Sequence, residues 1–170
     1  MIGIERPESA FRRQPDISSE RCYRPEMGLS VRIVGQSDSR LFDRTDEDLF
    51  DHPIDAKLLA EFLHDPRHHM AVADDDGLVV GFVSAVDYVH PDKPRQLWIN
   101  EVGVAAPYRR QGVAKKLMRL MLDHARALGC TEAWVLTGVG NRAANALYRS
   151  ISGGRPGDIP QQAMHVFALD

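Results

Sequence analysis

The chain predicts an α/β fold, and three observations carry that expectation. A strand-forming run, Leu97-Trp98-Ile99 and then Val102-Gly103-Val104, gives way through a short polar turn to an apolar stripe at Val113, Leu117, Leu120, Met121, Ala125 and Leu128. That i, i+4, i+7, i+8 spacing marks a helix packed on one face. Strand-like and helical patterns alternate on both sides of this unit, and 170 residues are enough for one such domain with its own core but hardly for two.

The elements follow in order. Residues 1–29 are rich in Arg, Glu, Ser and Pro with few large apolar side chains, so they read as a poorly structured N-terminal arm, with Met27 as a second start position. They lack the apolar core of a secretory signal. Val31 to Val34 alternates as a first strand. Residues 38–50 turn helical, with Leu41, Phe42, Leu49 and Phe50 as the apolar set, until His52-Pro53 breaks the pattern. A second helix begins at Asp55, a capping residue, with Ile54, Leu58, Leu59 and Phe62 inward, and ends at His64-Asp65-Pro66. Residues 69–73 and 78–86 form two strands joined by a turn over Asp74-Asp75-Asp76-Gly77, a hairpin. A Pro-rich loop, residues 90–94, leads to the strand at Leu97. Gly129 stops the long helix, residues 131–137 are the next strand, 141–149 the next helix, 152–158 a loop and 163–169 a last strand.

Composition narrows the function. A hydrophobic content of 44% without any run near the length of a membrane span gives no transmembrane helix. A net charge of -3 offers no electrostatic case for nucleic acid. Two cysteines, Cys22 and Cys130, make no disulfide framework and suit a reducing cytoplasm, with Cys130 expected to be a buried structural thiol.

The turn before the long helix is the informative stretch: Arg109-Arg110-Gln111-Gly112-Val113-Ala114. A helix starting near Gly112 leaves its first backbone N–H groups unpartnered, and its dipole favours negative charge there. Gly112 removes a side chain where a phosphate would approach, Ala114 keeps the first turn thin, and two arginines add positive charge. By itself the stretch reads equally well as an ordinary basic turn.

Arg-x-x-Gly-x-Ala after an apolar strand resembles the acetyl-coenzyme A pyrophosphate loop of the GCN5-related N-acetyltransferase (GNAT) superfamily. Asn141-Arg142-Ala143-Ala144-Asn145-Ala146-Leu147-Tyr148 resembles the superfamily's Asn-x-x-Ala-x-x-Leu-Tyr pattern. The resemblance covers about residues 31–170, and from Trp98 to Tyr148 is most similar to the aminoglycoside 3-N-acetyltransferase type I group and its uncharacterised relatives. It implies a domain over residues 30–170 built on a mixed, twisted β-sheet, flanked by helices and splayed in the middle for the cofactor's thioester arm. It also implies acetyl-coenzyme A as donor, held by Val102, Gly103 and Val104 on the strand, by Arg109, Arg110, Gln111, Gly112, Val113 and Ala114 in the loop, and by Asn141, Ala144 and Tyr148 on the next helix. The Val102 and Val104 backbone would pair with the pantetheine arm, with the Val104 N–H facing the thioester carbonyl. A small-molecule amine is the implied acceptor, an aminoglycoside 3-amino group and with it antibiotic resistance among the options, and a homodimer is compatible with the resemblance.

Acetyl transfer to an amine needs a proton acceptor for the amine, a donor to the thioester oxygen and a proton for the departing thiolate. Glu101 lies in a mostly apolar run where desolvation would raise its pKa toward that of a useful base; read plainly, it pairs with a cation at a strand edge. The resemblance makes Tyr148 the acid for the thiolate; read plainly, it is core. After Tyr148 one extra residue precedes Gly153-Gly154 and no aromatic follows, and Gly138-Val139-Gly140 gives the preceding loop unusual freedom. Gly138 to Ala143 also matches a dinucleotide fingerprint, but one remaining strand cannot complete a Rossmann unit.

Asp38, Asp43, Asp46, Glu47, Asp48, Asp51 and Asp55 crowd the first helical region. They suit a polycationic acceptor, or equally a solvated face. His64, His68 and His69 lack the accompanying ligands of a metal site, so no metal is expected. Two functions remain open: direct acetyl transfer to a primary amine, and a non-catalytic acyl-coenzyme A sensor, which would need the loop but neither Glu101 nor Tyr148.

Overall fold

The computed structural model describes residues 28–151. Its elements are β1 (Leu29–Val34), a 3-10 helix (Gln36–Asp43), α1 (Ala56–His64), β2 (His68–Asp75), β3 (Leu78–His90), β4 (Lys93–Val104), a 3-10 turn (Ala106–Tyr108), α2 (Val113–Ala127), β5 (Glu132–Val135) and α3 (Arg142–Arg149). The strands form one sheet in sequence order, antiparallel from β1 to β4, with β5 added parallel to β4. The sheet is therefore mixed and open, as expected. The anticipated strand at 163–169, the loop at 152–158 and the arm up to residue 27 lie outside the described residues.

Each face of the sheet carries its own core. On one, Val113, Leu117, Met118, Met121 and Ala125 of α2 are buried against Ala71, Ala73, Val80, Val83, Ala85, Leu97 and Ile99. Fully burying a large aliphatic side chain contributes about 1.5–3 kcal/mol, so this stripe is a main source of stability. Small residues let the helix settle close: a Cβ on Gly81 would lie 3.2 Å from Leu117 Cδ1 and 3.3 Å from Val113 Cγ1. On the other face, Val34, Phe42, Leu49, Leu63, Met70, Val72, Val79 and Phe82 pack together, joined by the half-buried Phe50, Leu59 and Phe62.

The β2–β3 hairpin turns on just Asp76-Gly77, both left-handed at φ 51° and 80°, the backbone that Asp-Gly supports in a two-residue hairpin. The Pro-rich loop expected over residues 90–94 is also shorter than its composition suggests. β3 continues to His90 and β4 starts at Lys93, so only Pro91-Asp92 connects them.

The helix expected over residues 38–50 is corrected. The chain is 3-10 helical only over Gln36–Asp43, because the backbone then leaves to pair with β3: Val79 N–H donates to Arg44 O at 2.9 Å and Asp46 N–H to Val79 O at 3.0 Å. Two sheet-type bonds outcompete another helical turn. α1 begins where expected, with the Asp55 carboxylate accepting from Lys57 N–H at 2.7 Å and Leu58 N–H at 3.0 Å. Its phase differs: Leu58, expected inward, is 65% exposed, and Leu63 takes the buried position. Cys130 is half-buried rather than buried, and burial raises its thiol pKa.

Candidate active site

β4 runs through the centre of the site. Its register with β5 covers only Gln96 to Ile99, paired with Glu132 to Val135. The strand continues for five residues to Val104, paired among the described residues on the β3 side alone. Beyond Ile99 the two parallel strands thus part, leaving an open β4 edge. At its end, Ala105 N–H donates to Val80 O on the β3 side at 2.9 Å. Alternation then turns the N–H and C=O of Val104, and of Val102 before it, toward the open edge. Arg109 Nε donates to that Val104 carbonyl at 2.8 Å.

A bulge decides where Glu101 points. Ser84 pairs with Glu101 but the next residue, Ala85, pairs with Ile99, so Asn100 is an extra residue on β4. Without it, alternation from Leu97 and Ile99 would carry Glu101 into the core beneath α2. With it, Glu101 shares the opposite face with Ser84, and Gly103 with Phe82. Glu101 is exposed on that face, yet partial desolvation, and secondly the charge of Asp51, hold its pKa above the ordinary carboxylate range. Its surroundings raise the basicity that the sequence anticipated, and Asp51 is a contributor that spacing did not reveal.

The loop after β4 is braced by its own side chains. Besides the Arg109 bond, Gln111 Nε2 donates to Pro107 O at 2.6 Å, and Tyr108 OH donates to Asp75 Oδ2 at 2.6 Å, tying the turn to the end of β2. Arg110 and Gly112 both take left-handed backbone, φ 65° and 81°. For Arg110 this costs roughly 1–2 kcal/mol, strain of the kind concentrated at functional loops. Gly112 starts α2 with no side-chain cap, so the first amides of the helix, Val113 and Ala114 among them, have no partner within it. A Cβ at Gly112 would meet nothing within 4 Å. Uncapped amides, left-handed turns and open space suit a pyrophosphate, and the open β4 edge suits an extended amide-bearing arm. The residues present fit acetyl-coenzyme A on both counts.

α3 follows β5 in the chain. Asn141 caps it as expected, its Oδ1 accepting from Ala144 N–H at 3.1 Å. The Gly138-Val139-Gly140 loop is held by a residue that the sequence reading overlooked: Asn145 Nδ2 donates to Gly138 O at 3.1 Å and to Asn141 O at 2.8 Å. Tyr148 is half-buried and packs, with Leu147, against the α2-side core. Burial raises the pKa of its phenol, which keeps the proton on the oxygen.

A second polar group lies inside the fold. His69 Nε2 and Asp87 Oδ1 are 3.2 Å apart, His124 Nε2 and His69 Nδ1 3.1 Å, and Arg95 Nε reaches Asp87 Oδ2 at 3.3 Å. This chain ties β2, β3, β4 and α2 together. A lone Asp in the apolar run of β3 was its one sequence signal. Burial, and then His69, hold the His124 pKa below its ordinary value. Among the described residues no group of three or more His, Cys, Asp or Glu could hold a metal, and no helix is long and apolar enough to cross a membrane.

The model of the Acetyltransferase (GNAT) family matches residues 36–153, and the chain belongs to that family. It is similar to N-acetyltransferase 8 of Rattus norvegicus, 33% identical over 104 residues, which are 61% of this chain and 47% of that protein. It is also similar to N-alpha-acetyltransferase RimI of Mycobacterium tuberculosis, 28% identical over 131 residues, covering 76% of this chain and 80% of that one. The chain spans less than half the length of the rat and human N-acetyltransferase 8 proteins it matches. Among solved structures, an aminoglycoside acetyltransferase from an uncultured soil metagenomic sample, in complex with sisomicin, superposes with a TM-score of 0.71 at 18% identity, covering 84% of this chain and 97% of that one. Aminoglycoside N-acetyltransferase AAC(6')-Iy in complex with CoA gives 0.62 at 19% identity, with 84% and 94% covered. At these identities the likeness speaks for the fold alone.

Proposed function

We propose that this chain moves the acetyl group of acetyl-coenzyme A to a primary amine by direct attack. The observation that carries the reading is the bulge at Asn100, which turns Glu101 out of the core beside the open edge of β4. Acetyl-coenzyme A supplies an activated thioester. Val102, Gly103 and Val104 line its arm, and Arg109, Arg110, Gln111, Gly112, Val113 and Ala114 receive its pyrophosphate. Glu101 takes the amine proton, directly or through water, as the amine nitrogen bonds to the thioester carbon. The Val104 N–H donates to the carbonyl oxygen as charge gathers there. Tyr148 delivers its proton to the sulfur as the carbon–sulfur bond breaks, and recovers one as Glu101 returns its own to solvent. Asn141, its Oδ1 spent on the cap, retains an amide N–H for the arm, and Ala144 keeps that helix face thin.

The catalytic domain would run from residue 29, one residue earlier than its sequence suggests because Leu29 already pairs with Asp75 in β1, to residue 170, with the preceding residues an arm outside it and the protein acting in the cytoplasm, alone or as a homodimer. An aminoglycoside 3-amino group has the acidic stretch from Asp38 to Asp55 in its favour. Three of those carboxylates already serve the fold, however: Asp38 accepts from Gly35 N–H at 2.8 Å, Asp46 from Asp48 N–H at 3.1 Å, and Asp55 caps α1.

Thiol release from acetyl-coenzyme A across a panel of amines tests the proposal. Turnover that falls at least tenfold in Glu101→Gln and Tyr148→Phe, with cofactor affinity kept, supports direct transfer; a tenfold loss is about 1.4 kcal/mol in the barrier. Unchanged turnover removes the substituted residue from the mechanism. Tight cofactor binding with no turnover for any amine favours the sensor reading.

A further inference from the structure

On the face of the sheet that carries Glu101, a shallow cavity of about 270 Å³, largely open to solvent, lies between α1 and the segment before it. Its walls are Phe42, Phe50, Ile54, Leu58, Leu59 and Phe62, with Met70 below. Among the described residues only Asp51, His52 and Asp55 bring polar groups, and Asp55 already holds two α1 amides through Oδ1. The volume lies just under the usual range for small-molecule sites, about 300–1,000 Å³, so it fits a compact group.

This cavity adjoins the reacting centre. The Phe50 ring stacks on Phe82 with centroids 4.5 Å apart and planes 15° from parallel, and Phe82 packs beneath Gly103 of β4. Asp51, next in sequence to Phe50, is near enough for its charge to act on Glu101. Leu58 stands 65% exposed at the rim, an apolar side chain that a ligand would cover.

We propose that the cavity between α1 and Asp51 seats the aromatic or branched-apolar group of the acceptor amine, so that the substrate class is a compact amphiphilic primary amine. The inference rests on the acetyl-transfer reading of Glu101. The carboxylate of Asp51 draws the ammonium to the rim, and the apolar body enters the cavity, leaving the nitrogen at Glu101. A polyhydroxylated amine meets the opposite fate. Its hydroxyls would lose water against phenyl and leucyl walls that return no hydrogen bonds.

The test compares ethylamine, isobutylamine, 2-phenylethylamine, spermidine and sisomicin on the full chain loaded with coenzyme A, by calorimetric affinity, and with acetyl-coenzyme A, by kcat/KM from thiol release. Affinity and kcat/KM should both climb with apolar size, by roughly three- to fourfold per buried methylene, and 2-phenylethylamine should exceed ethylamine at least tenfold. Leu58→Ser, at an exposed position, should shrink that ratio severalfold with no change in melting temperature, and Phe62→Ala should act the same way in the affinity measurement. Equal affinities across the panel, or a preference for spermidine or sisomicin, would overturn the proposal. Calorimetry reads the cavity without any turnover, whereas thiol release with any amine at all upholds acetyl transfer. The two readings therefore fail separately.

Discussion

Adding one methyl group at Gly103 should disturb both the fold and the acceptor side of the site. Gly103 faces Phe82 across the β3–β4 pair. A Cβ there would lie 2.6 Å from Phe82 Cε1 and 3.1 Å from Cδ1, whereas carbon atoms settle at about 3.5–4.0 Å. The ring would have to retreat by roughly 1 Å to restore that spacing. It has nowhere easy to go, being 1% exposed and stacked on Phe50. Overpacking of this kind costs about 1–3 kcal/mol. At roughly 2–4 °C per kcal/mol for a chain of this size, Gly103→Ala should melt about 2–12 °C below the parent. Because the displaced ring pushes Phe50 into the cavity, the KM for an apolar amine should rise more than the KM for acetyl-coenzyme A. Circular dichroism melting and a two-substrate thiol-release assay measure both effects. An unchanged melting temperature would refute the packing argument, and equal changes in the two KM values would refute the link from Gly103 to the acceptor cavity.

Gly112→Glu should abolish binding of acetyl-coenzyme A in calorimetry, since it sets a carboxylate where the pyrophosphate is expected and forces a side chain onto left-handed backbone; retained affinity would remove the loop from the cofactor site. Asp51→Asn should let the Glu101 pKa fall, because the Asp51 charge helps to raise it. The acid limb of the kcat profile for a fixed amine should then move to lower pH, and an unmoved limb would mean that Glu101 is not the titrating base. His124 is held below its ordinary pKa of 6.5 in the folded chain. As pH falls through that value the unfolded chain binds a proton that the folded chain refuses, so stability should decline toward acid pH. In urea titrations His124→Asn should flatten that slope, and an identical slope would place the sensitivity elsewhere.

Much of this molecule is legible in its local sequence because the signals are local. The stripe from Val113 to Ala125 specifies α2 and its buried face, Asp55 specifies the start of α1, Asp76-Gly77 the hairpin, and Asn141 the cap of α3. In each case the deciding contact lies within a few residues, so propensity and spacing are the cause as well as the clue. The loop from Arg109 to Gly112 is legible only in part: Gly112 at an uncapped helix start shows in the chain, whereas the left-handed Arg110 and the tie from Tyr108 to Asp75 do not.

What failed to show depended on partners far along the chain. The helical pattern over residues 38–50 gives way to a 3-10 turn because Val79, more than thirty residues on, offers two backbone bonds. The inward face of α1 is chosen by the core it meets, which takes Leu63 and leaves Leu58 outside. His69 and His124 are unremarkable one at a time and Asp87 is only a lone acid in an apolar run; with Arg95 they become a network only when four elements converge. The site itself divides along the same line. The residue types, Glu101 in an apolar strand and Tyr148 on a capped helix, could be singled out from the chain in order. The direction of Glu101 could not, because strict alternation aims it at α2. Its true direction comes from one extra residue, Asn100, and a bulge exists only relative to a partner strand.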